Sequence, residues 1–195
     1  HKWSLGTEKL SGNFTLNALH LEQSEFYDPN DLGYLDAPNE VLNELNMEYK
    51  IVEPVGRFLR LFSSVEISHA QLFAPRIFTD FSVSGEMGAL TKGFQFYRAG
   101  FSVAPVRGVD FFEPRIDGYY FNLPSWGNAD LVFSSDYRKK IALDVRVSRS
   151  MAFTEGVDWN GADVRLKPRF RINDKLSFSY IYSYQGQFNE LGFAT

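Results

Sequence analysis

Apolar and polar residues alternate with a period of two along most of this chain. Leu45, Met47, Tyr49 and Ile51 alternate with Glu44, Asn46, Glu48 and Lys50. Leu59, Leu61, Val65 and Ile67, with Ser63 between them, oppose Arg60, Ser64, Glu66 and Ser68. Phe81, Val83, Met87 and Ala89 oppose Ser82, Ser84 and Glu86. Ile141, Leu143, Val145 and Val147 alternate with Ala142, Asp144, Arg146 and Ser148. Leu176, Phe178, Tyr180, Tyr182 and Tyr184 alternate with Ser177, Ser179, Ile181 and Ser183. Such alternation predicts strands with one apolar and one polar face. Weaker segments at residues 12–22, 94–104, 128–135 and 162–172 bring the expected count to about nine consecutive strands. Pro168 falls on the apolar side of the 162–172 strand. It removes a ladder donor there, so a bulge or a weak pairing is expected at that point. Helical periodicity is missing throughout.

The links between these strands alternate in length. Short links fall at residues 53–56, 90–93, 136–140 and 173–175, and longer ones at 23–43, 71–78, 105–127 and 150–161. Outer-membrane barrels have short periplasmic turns and long extracellular loops. The expected fold is therefore all-β, an antiparallel transmembrane β-barrel, with residues 1–195 as a single segment of it. In this reading residues 6–10 form a periplasmic turn after an inward strand end at Trp3 to Leu5. The strand from Gly12 runs outward, as does the strand at 176–184. Single-chain bacterial barrels have an even strand number and both ends on one side. The expectation is thus a segment of a larger barrel, with strands missing at both ends.

Composition sharpens this picture in one respect. Aromatic residues make up 16% of the chain, with 19 Phe and 10 Tyr, as interfacial girdles require. The net charge of −4 and the lack of a basic run longer than Arg138, Lys139 and Lys140 argue against nucleic acid as a partner. There is no cysteine, so neither a disulfide framework nor a thiolate metal site is available. The first residues have no signal-peptide pattern. No stretch approaches the roughly 20 apolar residues of a membrane-spanning helix.

Four stretches carry a resemblance. They are Tyr27-Asp28-Pro29-Asn30-Asp31-Leu32-Gly33-Tyr34-Leu35, Asp110-Phe111-Phe112-Glu113-Pro114-Arg115, Ser134-Ser135-Asp136-Tyr137-Arg138-Lys139-Lys140, and Pro168-Arg169-Phe170-Arg171-Ile172-Asn173-Asp174-Lys175-Leu176. Together they resemble a family of uncharacterised outer-membrane β-barrel domains, over roughly residues 13–184. Members of that family typically follow an amino-terminal domain similar to family 9 carbohydrate-binding modules. The resemblance implies location in the cell outer membrane, contact with its lipid and lipopolysaccharide, and a tie to carbohydrate. It implies no activity for any residue of this chain.

Candidate chemistry is sparse. The Asp28-to-Gly33 loop has some features of a calcium loop. Leu32 stands where an oxygen ligand is needed and Asn39 where a bidentate Glu is needed, so turn formation is the better reading and no metal is expected. The loop at 109–126 joins Asp110, Glu113, Arg115 and Asp117 to Phe111, Phe112, Tyr119, Tyr120, Phe121 and Trp126. Asp110, Phe111, Phe112, Glu113, Arg115, Tyr119, Tyr120 and Trp126 are the candidate ligand-binding set, a platform for glycan or peptide. The preferred alternative folds the loop over the barrel mouth, with Arg115 paired and the aromatics packing it shut. Arg60, Glu66, Asp144, Arg146, Asp163, Arg165, Lys167 and Arg169 are expected to face the lumen, because a lysine or arginine on the lipid side costs about 2–4 kcal/mol near the midplane. Arg165, Lys167 and Arg169 either line an anion-attracting passage or are stitched to Asp144 and Asp163. His1, His20 and His69 are scattered, and no nucleophile motif is present. Asn13-Phe14-Thr15 is a sequon inside an expected membrane strand and is discounted.

The functional expectation is a non-enzymatic outer-membrane barrel, without cofactor, that passes or binds a solute or polymer. Its expected partners are lipid, the remainder of its own barrel and subunits docked at its mouth. One rival is a non-conducting barrel that anchors a binding module or partner protein at the cell surface. The other is a soluble all-β binding domain.

Overall fold

The computed structural model describes residues 1–27, 38–114, 116, 118–153, 156 and 158–189. Among these, thirteen strands form and no helix does. In chain order they are β1 (Lys2–Lys9), β2 (Phe14–Gln23), β3 (Glu40–Ile51), β4 (Phe58–Leu72), β5 (Phe78–Thr91), β6 (Phe96–Ala104), β7 (Gly108–Asp110), β8 (Phe121–Leu123), β9 (Ser125–Ser134), β10 (Ile141–Phe153), β11 (Trp159–Arg171), β12 (Ser177–Ser179) and β13 (Tyr182–Phe188). Eleven of them make one sheet in the order β1-β2-β3-β4-β5-β6-β9-β10-β11, with β12 and β13 both on β11. β7 and β8 form a separate two-stranded sheet. Among the described residues no pairing joins β1 to β12 or β13.

All nine expected strands are present, and the alternating residues lie within them apart from Leu176, Tyr180 and Ile181. The higher count has three sources, one of them the β7–β8 hairpin inside the expected 105–127 loop. β1 is a full strand paired with β2 from Lys2↔Gln23 to Lys9↔Leu16, so the expected turn at residues 6–10 is corrected to residues 10–13. The strand expected at 176–184 is divided into β12 and β13, opposite Pro168. β12 pairs with β11 at Arg169↔Ser179, and β13 resumes at Leu166↔Tyr182. The register is unchanged across the gap, so the proline breaks the ladder without inserting a residue. Two of the expected long loops also contract. β4 and β5 leave only residues 73–77 between them, and β10 and β11 leave only 154–158.

Cross-strand register shows the two faces row by row. On β10, β11, β12 and β13, one face carries Ile141–Phe170–Phe178, Leu143–Pro168–Tyr180, Val145–Leu166–Tyr182 and Val147–Val164–Tyr184. The other carries Ala142–Arg169–Ser179, Asp144–Lys167, Arg146–Arg165–Ser183 and Ser148–Asp163–Gln185. A one-residue slip would exchange these sets.

The chain divides into two compact units. The first comprises His1–Glu48, Val65–Ser84 and Val103–Ser125, and the second Tyr49–Ser64, Gly85–Ser102 and Trp126–Thr195. Among the described apolar residues, the buried ones are Val41, Ala70, Ala104 and Ala142. Large apolar side chains are instead exposed, with Met87 at 64%, Leu131 at 62% and Ile141 at 64%. Burying a large apolar side chain contributes about 1.5–3 kcal/mol, while ordering each backbone residue costs about 1–2 kcal/mol. Four small buried side chains offset little of that cost by themselves, and other apolar residues of the sheet, Leu143, Val145, Val164 and Leu166 among them, are half-buried. A sheet of this kind needs an apolar medium or surface against its apolar face.

Candidate functional site

In the second unit, the polar sides of neighbouring strands are tied together by charge. Arg98 on β6 donates from Nη1 to Glu86 Oε2 on β5 at 2.9 Å, and from Nη2 to Asp130 on β9. Phe62 on β4 stacks against Phe96 with ring centroids 6.3 Å apart, on the same face. Gly88 is required there, because a Cβ at that position would lie 2.3 Å from the Phe62 ring. The sequence reading missed this triad. Folding the short 90–93 link back on itself brings Glu86 and Arg98 together, but Asp130 is reached only through the lateral pairing of β6 with β9.

The expected lumen set is found on polar faces. Asp144, Arg146, Asp163, Arg165, Lys167 and Arg169 share one face of β10 and β11, whereas Arg60 and Glu66 are exposed on β4. Among the described residues no ion pair joins these acids and bases. Asp144 accepts from the Tyr137 hydroxyl, and its other oxygen is buried without a hydrogen-bond partner among the described residues. Asp163 accepts from Ser148 Oγ at 3.4 Å. Arg169 lies over the Tyr137 ring, 5.5 Å from its centroid. Arg146 stands directly opposite Arg165, and both are exposed.

The end of these strands nearest the short links is closely cross-braced. Arg138 donates from Nε and Nη2 to the two oxygens of Asp136, each at 2.9 Å, and its amide adds a third bond at 2.9 Å. These bonds to Arg138 hold the Asp136 carboxyl down at about 2. The guanidinium of Arg138, its own pKa raised by the bond to Asp136, lies 3.4 Å from the centroid of the Phe94 ring. Burial, then the bond to Asp144, pushes the Tyr137 hydroxyl up to about 12. Arg171 donates to the carbonyls of Tyr137 and Arg138 at 3.1 and 2.6 Å. The Lys92 amide donates to the Arg57 carbonyl at 2.9 Å, joining two neighbouring links.

The apolar face of the second unit carries an open trough of about 660 Å3, lined by Tyr49, Met87, Tyr97, Leu131, Phe133 and Val147 among others. Tyr97 and Phe133 meet there with centroids 5.1 Å apart.

In the first unit, the expected ligand-binding loop contains the β7–β8 hairpin, in register from Gly108↔Leu123 to Asp110↔Phe121. Asp110 Oδ1 accepts from the amides of Phe112 and Glu113 at 2.9 and 3.0 Å, an Asx turn that shapes the start of the loop. Phe111 packs on Tyr120 with centroids 5.4 Å apart. The remaining aromatics do not pack the loop shut: Tyr119 is 66% exposed, and Phe112, Tyr120 and Phe121 are exposed as well. Trp126 lies within β9 and belongs to the second unit. Arg115 and Asp117 lie outside the described residues, as do residues 28–37 with the calcium-like loop. Asn39 of that expectation is described, and its side chain pairs with the Ala74 backbone, both bonds being 2.8 Å.

The three histidines lie against separate aromatic neighbours, His1 by Phe73, His20 by Trp3 and His69 by Phe78. Among the described residues no group of three or more His, Asp or Glu side chains could hold a metal ion. Among the described residues no helix is long and apolar enough to cross a membrane, which says nothing of β-barrels. A family model described as a domain of unknown function, DUF5916, matches residues 1–195. No curated protein and no solved structure matches the chain. Over its whole length, the chain belongs to the DUF5916 family of domains.

Proposed function

We propose that this chain forms wall strands of an outer-membrane β-barrel, and that the barrel passes or binds a solute or polymer. The observation that carries the reading is the row-by-row division of β10, β11, β12 and β13 into an exposed apolar face and a charged one, without a core to cover the apolar side. On β10 the apolar positions Ile141, Leu143, Val145 and Val147 lie between the Lys139–Lys140 turn and Arg149. That interval is about 30 Å along a strand, and about 23 Å along the membrane normal for a strand tilted by about 40°. It matches the apolar band of an outer-membrane barrel, about 25 Å tall. Arg149, held to Asn160 Oδ1 at 3.2 Å, would then stand at the outer interface, where a long cationic side chain reaches water. Phe178, Tyr182 and Tyr184 extend the apolar rows of β10 and β11, and acyl chains fill the trough beside Tyr97 and Phe133. Closure requires strands against the free edges of β1 and β13, which this reading assigns to the remainder of the same barrel.

Passage is favoured over simple anchoring by the number of charges on the polar face. The exposed aromatics of β7–β8 favour capture of a glycan or peptide.

The chain contains no cysteine, so single substitutions test the reading directly. Cysteines at Leu143, Val145 and Val147 should react with lipid-soluble maleimides and have attached fluorophores quenched by nitroxide lipids. Cysteines at Asp144, Arg146 and Ser148 should react only with water-soluble reagents. A labelling pattern without this alternation, or a protein that stays in the aqueous phase without detergent, would overturn the membrane reading. Planar-bilayer conductance separates passage from a non-conducting anchor.

A further inference from the structure

We infer that Arg146 and Arg165 form a binding site for a phosphoryl group carried by the solute. Two exposed cations face each other across β10 and β11. The two arginines are directly opposite in the β10–β11 ladder, where Cα atoms are about 4.5–5.5 Å apart and side chains share one face. Like charges so placed repel. Neither guanidinium makes a hydrogen bond or an ion pair with any described residue. The carboxylates that could neutralise them are turned to hydroxyl groups, Asp144 to Tyr137 and Asp163 to Ser148. Lys167, one row away and opposite Asp144, adds a third cation that makes no hydrogen bond or ion pair with any described residue. Ser183 completes the Arg146–Arg165 row with a hydroxyl.

The chemistry of the ligand follows from these groups. A guanidinium offers paired, coplanar N–H donors that match two oxygens of a carboxylate or a phosphate. Two guanidiniums in one row of the same face bring two positive charges, which suits a phosphate monoester carrying about −1.5 to −2 near pH 7. A single carboxylate would leave one arginine uncompensated. The inference rests on the proposed lumen only in calling the ligand a solute; the site itself depends on β10 and β11 alone.

The test is a titration of inorganic phosphate onto the full-length protein in detergent micelles, followed by calorimetry and by phosphorus NMR line width. Saturable binding is expected for the wild type and for Lys175→Gln, a charge change in a distant turn. Arg146→Gln/Arg165→Gln should weaken it by about tenfold or more, the usual effect of removing hydrogen bonds to a charged group. Should that double variant fail to fold, Arg146→Lys/Arg165→Lys keeps both charges while losing the fork, and binding should fall between the two. Absence of saturable binding to the wild type, or equal binding by all variants, overturns the site. If the protein proves water-soluble but loses phosphate with Arg146→Gln/Arg165→Gln, the membrane reading falls and the site stands. If it is membrane-embedded and binds no phosphate, the reverse holds.

Discussion

The β10–β11 ladder and the β7–β8 hairpin are both antiparallel pairs rich in aromatic or aliphatic side chains, yet they constrain those side chains differently. In the ladder twelve consecutive pairs run from Ile141↔Phe170 to Ala152↔Trp159, so every side chain is assigned to a face by its neighbours. In the hairpin three pairs hold the stem, and the aromatics beyond it are held only by the Asp110 turn and the Phe111–Tyr120 contact. The ladder's apolar residues are exposed, as Ile141, Val147 and Phe170 are, or half-buried, as Leu143, Val145 and Leu166 are, because no second layer covers their face. The hairpin's are exposed because a small loop cannot enclose them. Exposure alone therefore does not identify a binding site; its periodicity tells a face that needs a medium from a tip that is available to a ligand.

A charge placed on each region separates these cases most strongly. Val145→Arg puts a cation on the apolar row Val145–Leu166–Tyr182, and its expected cost is about 2–4 kcal/mol if that row meets hydrocarbon near the midplane. Tyr119→Arg on the hairpin should stay within about 0.5 kcal/mol, as surface changes away from special features do. Denaturant titrations of protein refolded into lipid vesicles measure both. Equal effects would remove the distinction between face and tip.

A steric change inside the ladder-bearing unit ranks next. Gly88→Ala brings a Cβ to within 2.3 Å of the Phe62 ring, and overpacking of this kind costs about 1–3 kcal/mol. Combining it with Phe62→Leu should restore most of the loss, since the ring is the obstacle. The same denaturant titration, run as a double-mutant cycle, should therefore show strong non-additivity. Additive effects would mean that the glycine serves the backbone rather than the ring.

Acid sensitivity should be smaller and localised at the short links. The Asp136 pKa is depressed to about 2 by the bonds from Arg138. A depressed carboxylate stabilises the fold above its unfolded value of 3.8, and that contribution disappears as the pH falls towards 2. Stability measured from pH 5 down to pH 2 should fall more steeply for the wild type than for Asp136→Asn. Parallel curves would show that the Asp136–Arg138 pair does not contribute to stability.

Much of the ladder was legible in the residues, because a two-residue period survives whatever the neighbours are. Pro168 was legible too, since a missing N–H interrupts a ladder wherever it falls. β1 was harder to read: Thr7 and Lys9 stand on the same face as Trp3 and Leu5 and hide the alternation. The β7–β8 stem is shorter than any periodic window. The Arg98 triad required knowing that β9, after an insertion of some twenty residues, returns beside β6. The contracted loops at 73–77 and 154–158 show strands continuing past the point where the pattern fades, as hydrogen bonding to a long neighbour allows. The Arg146–Arg165 opposition needed the register itself, for alternation places both on polar faces without saying that they meet.

The smallest expected effect belongs to the hairpin and bears most directly on what it is for. Tyr120 contacts Phe111 at 5.4 Å, and an aromatic pair of this kind contributes about 0.5–1.5 kcal/mol beyond its buried area. Tyr120 remains exposed, so its truncation to Ala should cost at the low end of that range, and truncation of Tyr119 less. If the tip is a capture surface, Tyr119→Ala and Phe121→Ala should leave folding unchanged and reduce retention of cell-surface glycan or peptide fragments on immobilised protein. If it only packs the loop, Tyr120→Ala should alter the protease sensitivity of residues 105–124 while retention stays constant. The two outcomes exchange the roles of one ring and its neighbours, so the hairpin can be assigned without knowing its ligand.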